Sequence, residues 1–255
     1  MTLSVFDPVH PRLIPAVEHC SFYHSMDFDD GSSVIGPWDI RGRFAQYIGN
    51  YSVAGKTLLD VGTASGFLTF AAEKSGATVT ALEGLSVAEY CQLRFSGLPY
   101  HEDRATFDKD NEVWFETLKN SFWYAWHKSN SKAEMIYAPI TALPYWKRRF
   151  DVVVAGAILE HLSDPVSVIW SLTRLATEAV IIAFTPVILD DEMFMKAANA
   201  WDNPQNNFTW WVLSLGLYKR IFANVGFDIE IVASTAVAGG IEHSRPTLIA
   251  RRARS

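Results

Sequence analysis

Asp60, Gly62, Gly66 and Glu83 are the residues of this chain whose types and spacing point most directly to chemistry. The run Thr57-Leu58-Leu59-Asp60-Val61 reads as a buried strand, Gly62-Thr63-Ala64-Ser65-Gly66 as a tight turn, and Phe67 as the opening of a helix. Glycine suits such a turn because it lacks the Cβ that would hold the backbone away from a ligand. A second buried strand, Val79-Thr80-Ala81-Leu82-Glu83, ends in a carboxylate twenty-one residues beyond Gly62. Nucleotide-binding α/β folds place an acid at about that distance, where it accepts hydrogen bonds from ribose hydroxyls. The glycine spacing is not the Gly-x-Gly-x-x-Gly of dinucleotide enzymes, which disfavours an NAD-dependent oxidoreductase.

A second group of candidates follows a later apolar strand. Gly156 and Ala157 leave Phe150-Asp151-Val152-Val153-Val154-Ala155, and Glu160 and His161 come directly after. Histidine has an unperturbed pKa of about 6.5, which suits proton abstraction. The alternative for His161 is a helix cap or a loop tether. Glu160 could orient an acceptor or pair with a cationic substrate. His24 and His243 fall in segments expected to border the same site, whereas His10, His19 and His101 read as surface residues. Trp38 and Asp39 either seal a bound cofactor from the N-terminal side or anchor a helix spanning Ile40 to Ile48.

Strand and helix patterns alternate along the chain, which implies a mostly parallel sheet with helices on both faces. Seven strands are expected near 57–62, 78–83, 134–137, 150–155, 178–184, 227–233 and 246–251. The first helix should cover Phe67 to Lys74 and stop at Gly76. Another should follow Asp164-Pro165, with the acid as N-cap and the proline in the first turn. Residues 97–132 and 187–218 exceed what the sheet needs, and both are rich in tryptophan. They read as helical cap inserts over the strand C-termini, and residues 1–50 as an N-terminal lid. Aromatic stripes at helical spacing equally describe core packing. No linker divides the chain, so residues 1–255 read as one domain.

The 255 residues suffice for a sizeable α/β core, and 49% hydrophobic with 20% charged content is ordinary for a globular protein. A net charge of −6 disfavours an extended nucleic-acid surface. No apolar run reaches membrane-spanning length. Cys20 and Cys91 are too few for a disulfide framework and lack metal-ligand spacing, which points to a reducing cytoplasm and to no metal.

The motif Asp60-x-Gly62-x-x-x-Gly66, with Glu83 at the next strand end, resembles motif I of class I S-adenosylmethionine (SAM) methyltransferases. Further segments narrow the resemblance: Phe22-Tyr23-His24-Ser25-Met26, Pro37-Trp38-Asp39, Phe122-Trp123-Tyr124-Ala125-Trp126-His127, and Gly156-Ala157-Ile158-Leu159-Glu160-His161-Leu162. Together they are similar to the branch related to the tRNA uridine carboxymethyltransferase that uses carboxy-SAM. The resemblance implies a Rossmann-like fold and a donor site. The turn residues Gly62, Thr63, Ala64 and Gly66 would wrap the amino-acid part of SAM, with Asp60 either ordering the turn or meeting the ammonium through water. Glu83 would take the ribose, with Gly84 beside it, and Leu85 would pack on the adenine. Gly156 and Ala157 would let the cofactor lie flat. Three departures stand out. No lysine precedes Lys56, Glu160 stands where the carboxymethyl enzymes carry tyrosine, and Pro139 occupies the usual adenine-contacting Asp position. Ordinary SAM is therefore the expected cofactor, with adenine resting on Ile140. The leading function is methyl transfer to a small aromatic or apolar molecule; RNA methylation and non-catalytic SAM binding are the competitors. Acceptor identity, the choice among O-, N- and C-methylation, and oligomeric state stay open.

Overall fold

A computed structural model describes residues 5–86, 104–198 and 209–253. The chain begins with a small hairpin, β1 (Met26–Asp27) and β2 (Ser33–Val34), then β3 (Trp38–Asp39) and the short helix α1 (Phe44–Tyr47). The α/β alternation follows: β4 (Thr57–Val61), α2 (Phe67–Lys74), β5 (Thr78–Glu83), α3 (Arg104–Lys128), β6 (Glu134–Tyr137), β7 (Phe150–Gly156), α4 (Pro165–Leu175) and β8 (Ala176–Ala183). A three-stranded patch, β9 (Val187–Ile188), β10 (Met195–Ala197) and β11 (Trp211–Ser214), leads into α5 (Leu215–Asn224) and the long pair β12 (Phe227–Ala238) and β13 (Ile241–Arg252).

The central sheet runs β3-β12-β13-β8-β7-β4-β5-β6. Strands β8, β7, β4, β5 and β6 are parallel to their neighbours, while β13, β12 and β3 join antiparallel. Strand order reverses between β4 and β7, and at that switch point the turns after both strands open on the same edge, where such sheets bind ligands. The sheet has eight strands rather than the expected seven. The eighth is Trp38–Asp39, which pairs with Ala238 and Val237 at the far edge. Two residues cannot show a strand period, so backbone pairing alone reveals it.

Local chemistry accounts for the elements that place the site. Gly66 holds a left-handed conformation (φ 91°) at the start of α2, and Gly76 (φ 90°) follows its end, where a side chain would be strained. Asp164 caps α4 by accepting from Ser167 N at 3.1 Å, and Pro165 occupies the first turn. Main-sheet residues such as Leu59, Val61, Leu82, Val153 and Ile182 bury one face against α3, α4 and α5, and Leu58, Val79, Val152 and Ile181 bury the other against α2 and the N-terminal segment.

Helix α3 corrects one expectation. Residues 104–128 form the crossover helix between parallel strands β5 and β6, not a cap. Phe122 and Trp123, the latter 1% exposed, pack on Ala81 and Met135 of those strands, and Phe115 and Leu118 join the main core. Helical spacing of aromatics describes a sheet-facing stripe as well as a pocket wall, and here burial against β5 and β6 wins. Residues 97–103 of that segment lie outside the described residues. Among the described residues no helix is long and apolar enough to cross a membrane.

Candidate active site

Strand β4 delivers Asp60 to the floor of the site and Gly62 to its rim. Asp60 is fully buried, and its Oδ2 accepts from Thr69 Oγ1 at 2.7 Å. Thr69 Oγ1 lies 2.9 Å from Thr63 Oγ1, so acid, turn and helix α2 form one hydrogen-bonded unit. Asp60 Oδ1 is buried without a partner, and burial is the main cause that pushes the carboxyl pKa up to about 6. The turn above it carries left-handed residues at Gly62 (φ 74°), Ala64 (φ 52°) and Gly66. A Cβ on Gly62 would overlap the side chain of Ile158, and one on Gly66 would meet Phe70 and Phe122. The glycines are thus demanded by conformation and by packing from within the protein.

Glu83 ends β5 almost wholly buried. Its Oε2 accepts from Ala64 N at 2.8 Å and its Oε1 from Gly84 N at 2.9 Å. The carboxylate therefore ties the glycine turn to the exit of the second strand. Each of its oxygens has two lone pairs, so ribose hydroxyls can share it with the backbone donors. Leu85, 47% exposed, follows on the surface, and its carbonyl accepts from Lys119 Nζ at 2.7 Å. Ile140 departs from its expected role. It opens a 3-10 turn with Pro139 as N-cap, and its side chain is buried in the core with Ala138 and Leu143, not offered to the site.

Beyond the glycine turn lies a cavity of about 180 Å³. Gly62, Thr63, Gly156 and Ala157 form one side of it, and Tyr23, His24, Trp38 and Tyr47 of the N-terminal segment form another. Glu160, His161, Phe184, Thr209 and Arg245 complete the wall. Ala157 is left-handed (φ 46°), and its N–H donates to Ala183 O at 2.9 Å, which fixes the β7 exit. A Cβ on Gly156 would overlap Leu68. Glu160 and His161 sit in a 3-10 turn, and both line the cavity. Glu160 is 4% exposed; its Oε1 lies 3.4 Å from Arg245 Nη1, and its Oε2 is buried with no partner. His24 is buried too; burial lowers its pKa to about 4, so the ring is neutral near pH 7, and its Nδ1 has no partner. Burial first, and the charge of Glu160 second, raise the Tyr23 pKa, which keeps that phenol protonated.

Of the sequence-predicted residues, Gly62, Thr63, Gly156, Ala157, Glu160, His161, Trp38 and His24 line this cavity, whereas Asp60, Ala64, Gly66, Glu83, Gly84 and Leu85 do not. Trp38 is one wall, held by backbone bonds from its N–H to Tyr23 O (3.2 Å) and from Ser25 N to its own carbonyl (2.9 Å). His243 is exposed and touches the site only through the edge of Trp38, at 5.6 Å between rings. Of the 187–218 segment, Thr209 lines the cavity and Trp210 N donates to Glu160 O at 2.6 Å. Trp210 itself is not among the lining residues. Sequence reasoning missed Arg245, Tyr47 and Phe184. Arg245 also removes the premise that Glu160 is an unopposed negative charge, since the guanidinium stands beside it.

A methyltransferase-domain family model matches residues 39–232. The chain belongs to the methyltransferase-domain family. No curated protein matches it. Among solved structures, the N-terminal domain of EvdMO1, crystallised in the presence of S-adenosylhomocysteine (SAH) and D-fucose, is 15% identical with a TM-score of 0.54, covering 93% of each chain. At that identity the likeness establishes the fold alone. Magnesium protoporphyrin IX methyltransferase from Synechocystis PCC 6803, with bound SAM, is 14% identical over 82% of this chain and 76% of its own, with a TM-score of 0.48. These matches lend no support to the narrower carboxymethyltransferase branch. A methyltransferase with this turn and strand-end acid is SAM-dependent, and the site fits that donor. The buried Asp60 Oδ1 lacks a donor, Glu83 stands at the turn, and small residues line the approach.

Proposed function

We propose that the protein transfers the methyl group of SAM to a small molecule seated in the cavity between Gly62 and Trp38. The observation that carries this reading is the convergence of the glycine turn, the Gly156–Ala157 exit and three acid–base side chains, His24, Glu160 and His161, on one aromatic-walled cavity. Bound SAM supplies a methyl group on a positively charged sulfur. Glu83 would hold its ribose and the Gly62–Gly66 turn its amino-acid part, with Asp60 ordering that turn through Thr69 and Thr63, and Leu85 would pack on its adenine. Gly84 keeps the backbone close at the strand exit.

The protein's own contribution is placement and exclusion of water. Fixing an acceptor in line with the methyl group supplies several kcal/mol of barrier reduction. Tyr23, Trp38, Tyr47 and Phe184 give that acceptor an apolar enclosure, as small-molecule sites commonly do. His161 is the base for an acceptor that carries a proton, and Glu160 orients it. Residues 5–50 act as lid, and Thr209 closes the acceptor side. EvdMO1's domain, which shares the fold, was crystallised with SAH, the product of the same donor. Two cysteines and no disulfide pattern support a cytoplasmic setting.

The test is calorimetric titration with SAM and SAH, followed by SAH release with small acceptors. Absence of binding by both ligands overturns the reading. Filter binding of tRNA across a salt series tests the RNA alternative, which the net charge of −6 opposes. Submicromolar tRNA binding that weakens steeply with salt would put RNA methylation first.

A further inference from the structure

We propose that the acceptor is a small bipolar molecule, with a carboxylate or phosphate that rests on Arg245 and a hydroxyl or amine that donates to Glu160 Oε2. The inference rests on the methyltransferase reading and names the class of its acceptor.

The inner cavity does not end at Arg245. An outer groove of about 640 Å³ shares Glu160, Thr209 and Arg245 with it and continues past Pro186, Phe194 and Lys196. Arg245 therefore stands between an enclosed chamber and an open approach. A guanidinium carries five N–H donors. In the described structure Arg245 side-chain N–H groups make one hydrogen bond, the 3.4 Å contact to Glu160 Oε1. It is held instead by aromatic faces, with its Cζ 5.1 Å from the centre of the Phe184 ring and 5.9 Å from that of Trp38. The aromatic rings attract the charge without using its N–H groups, which leaves most of its donor fork for a planar oxyanion, the partner that arginine recognises best. Lys196 adds a second positive charge on the groove, and among the described residues lining either space Glu160 is the sole acid.

Glu160 supplies the opposite requirement. Its Oε2 is buried and has no donor, an arrangement that costs free energy until a donor arrives. An oxyanion brings no donor and cannot fill that role. A purely cationic acceptor would satisfy Glu160 but meet repulsion from Arg245 and Lys196. A molecule with a donor at one end and an anion at the other satisfies both. His24 Nδ1, also buried and without a partner, belongs to another side of the same cavity and offers a further polar group.

The experiment uses the full chain saturated with SAH and three probes that differ only at one end: para-hydroxybenzoate, para-hydroxyphenyl phosphate and para-hydroxybenzamide. Calorimetry should show the better of the two anions binding about ten- to a hundredfold more tightly than the neutral amide. Which anion is tighter decides between carboxylate and phosphate. Arg245→Gln should abolish the preference, and Arg245→Lys should retain part of it. Glu160→Ala should erase the difference between para-hydroxybenzoate and a fourth probe, benzoate, which lacks the donor. SAH affinity, measured on every preparation, reports folding and the donor site separately; if Arg245→Gln fails to bind SAH, the lysine variant decides. The proposal falls if SAH-loaded protein binds the amide as well as the acids, binds none of the probes, or keeps its anion preference without Arg245. Failure of SAH itself to bind would instead sink the methyltransferase reading.

Discussion

Replacing Glu83 by alanine separates two jobs that the structure gives one carboxylate. Its oxygens accept from Ala64 N at 2.8 Å and Gly84 N at 2.9 Å in a nearly dry site. Truncation strands both backbone donors, at about 1–3 kcal/mol each. Removing a buried charge offsets part of that, so a net stability loss of about 2–4 kcal/mol is expected. The same change removes the acceptor for the ribose. Loss of a hydrogen bond to a charged group is worth about 1.5–3 kcal/mol, or roughly ten- to a hundredfold in SAH affinity. Glu83→Gln keeps one acceptor oxygen and turns an NH₂ group toward a backbone N–H, so its stability should fall between alanine and wild type. Urea denaturation gives the first quantity, and calorimetry on the folded variants gives the second. A folded Glu83→Ala protein that binds SAH as tightly as wild type would refute the ribose role. One that is no less stable would refute the tie between turn and strand.

Three further outcomes are expected. Asp60 has a folded pKa of about 6, above its unfolded value of about 3.9, so the native state holds the proton longer and stability falls as pH rises from about 4 to 6. The advantage of wild type over Asp60→Asn in urea melts should therefore shrink by about 1–3 kcal/mol between pH 4 and pH 7; a pH-independent difference would contradict the burial argument. Gly62→Ala combines left-handed strain with overlap onto Ile158 and should cost about 2–4 kcal/mol, part of which Ile158→Ala recovers in the double variant. Trp123→Ala should destabilise by about 3–5 kcal/mol through its core contacts with Ala81 and Met135, and an acceptor-selectivity change in a protein of unaltered stability would restore the cap interpretation.

The glycine turn and the strand-end acid were legible because they are local. Asp60, Gly62, Gly66 and Glu83 lie on consecutive strand exits, and each has a residue type that few other roles require. The acceptor half is assembled from distant pieces. Arg245 sits mid-strand in β13 and carries no spacing signal; only the antiparallel return of β12 and β13 brings it to Glu160. Strand β3 was invisible because two residues have no period, although Trp38 itself was picked out as a possible seal. Helix α3 was misjudged because its aromatics serve the sheet, and side-chain type alone does not tell which surface a stripe faces. Ile140 was mistaken for a pocket residue because the turn after Pro139 directs it inward, a choice made by backbone geometry.

Main-chain bonds set Trp38 on the cavity wall: its N–H and carbonyl pair with Tyr23 and Ser25, and its strand pairs with β12. None of these bonds depends on the indole. The position of the wall and the chemistry of its lining are therefore separately inherited. Substitutions at residue 38 can exchange one surface for another while the frame behind it keeps its register, so a lineage built on this scaffold can drift from one acceptor to the next without first learning to fold again.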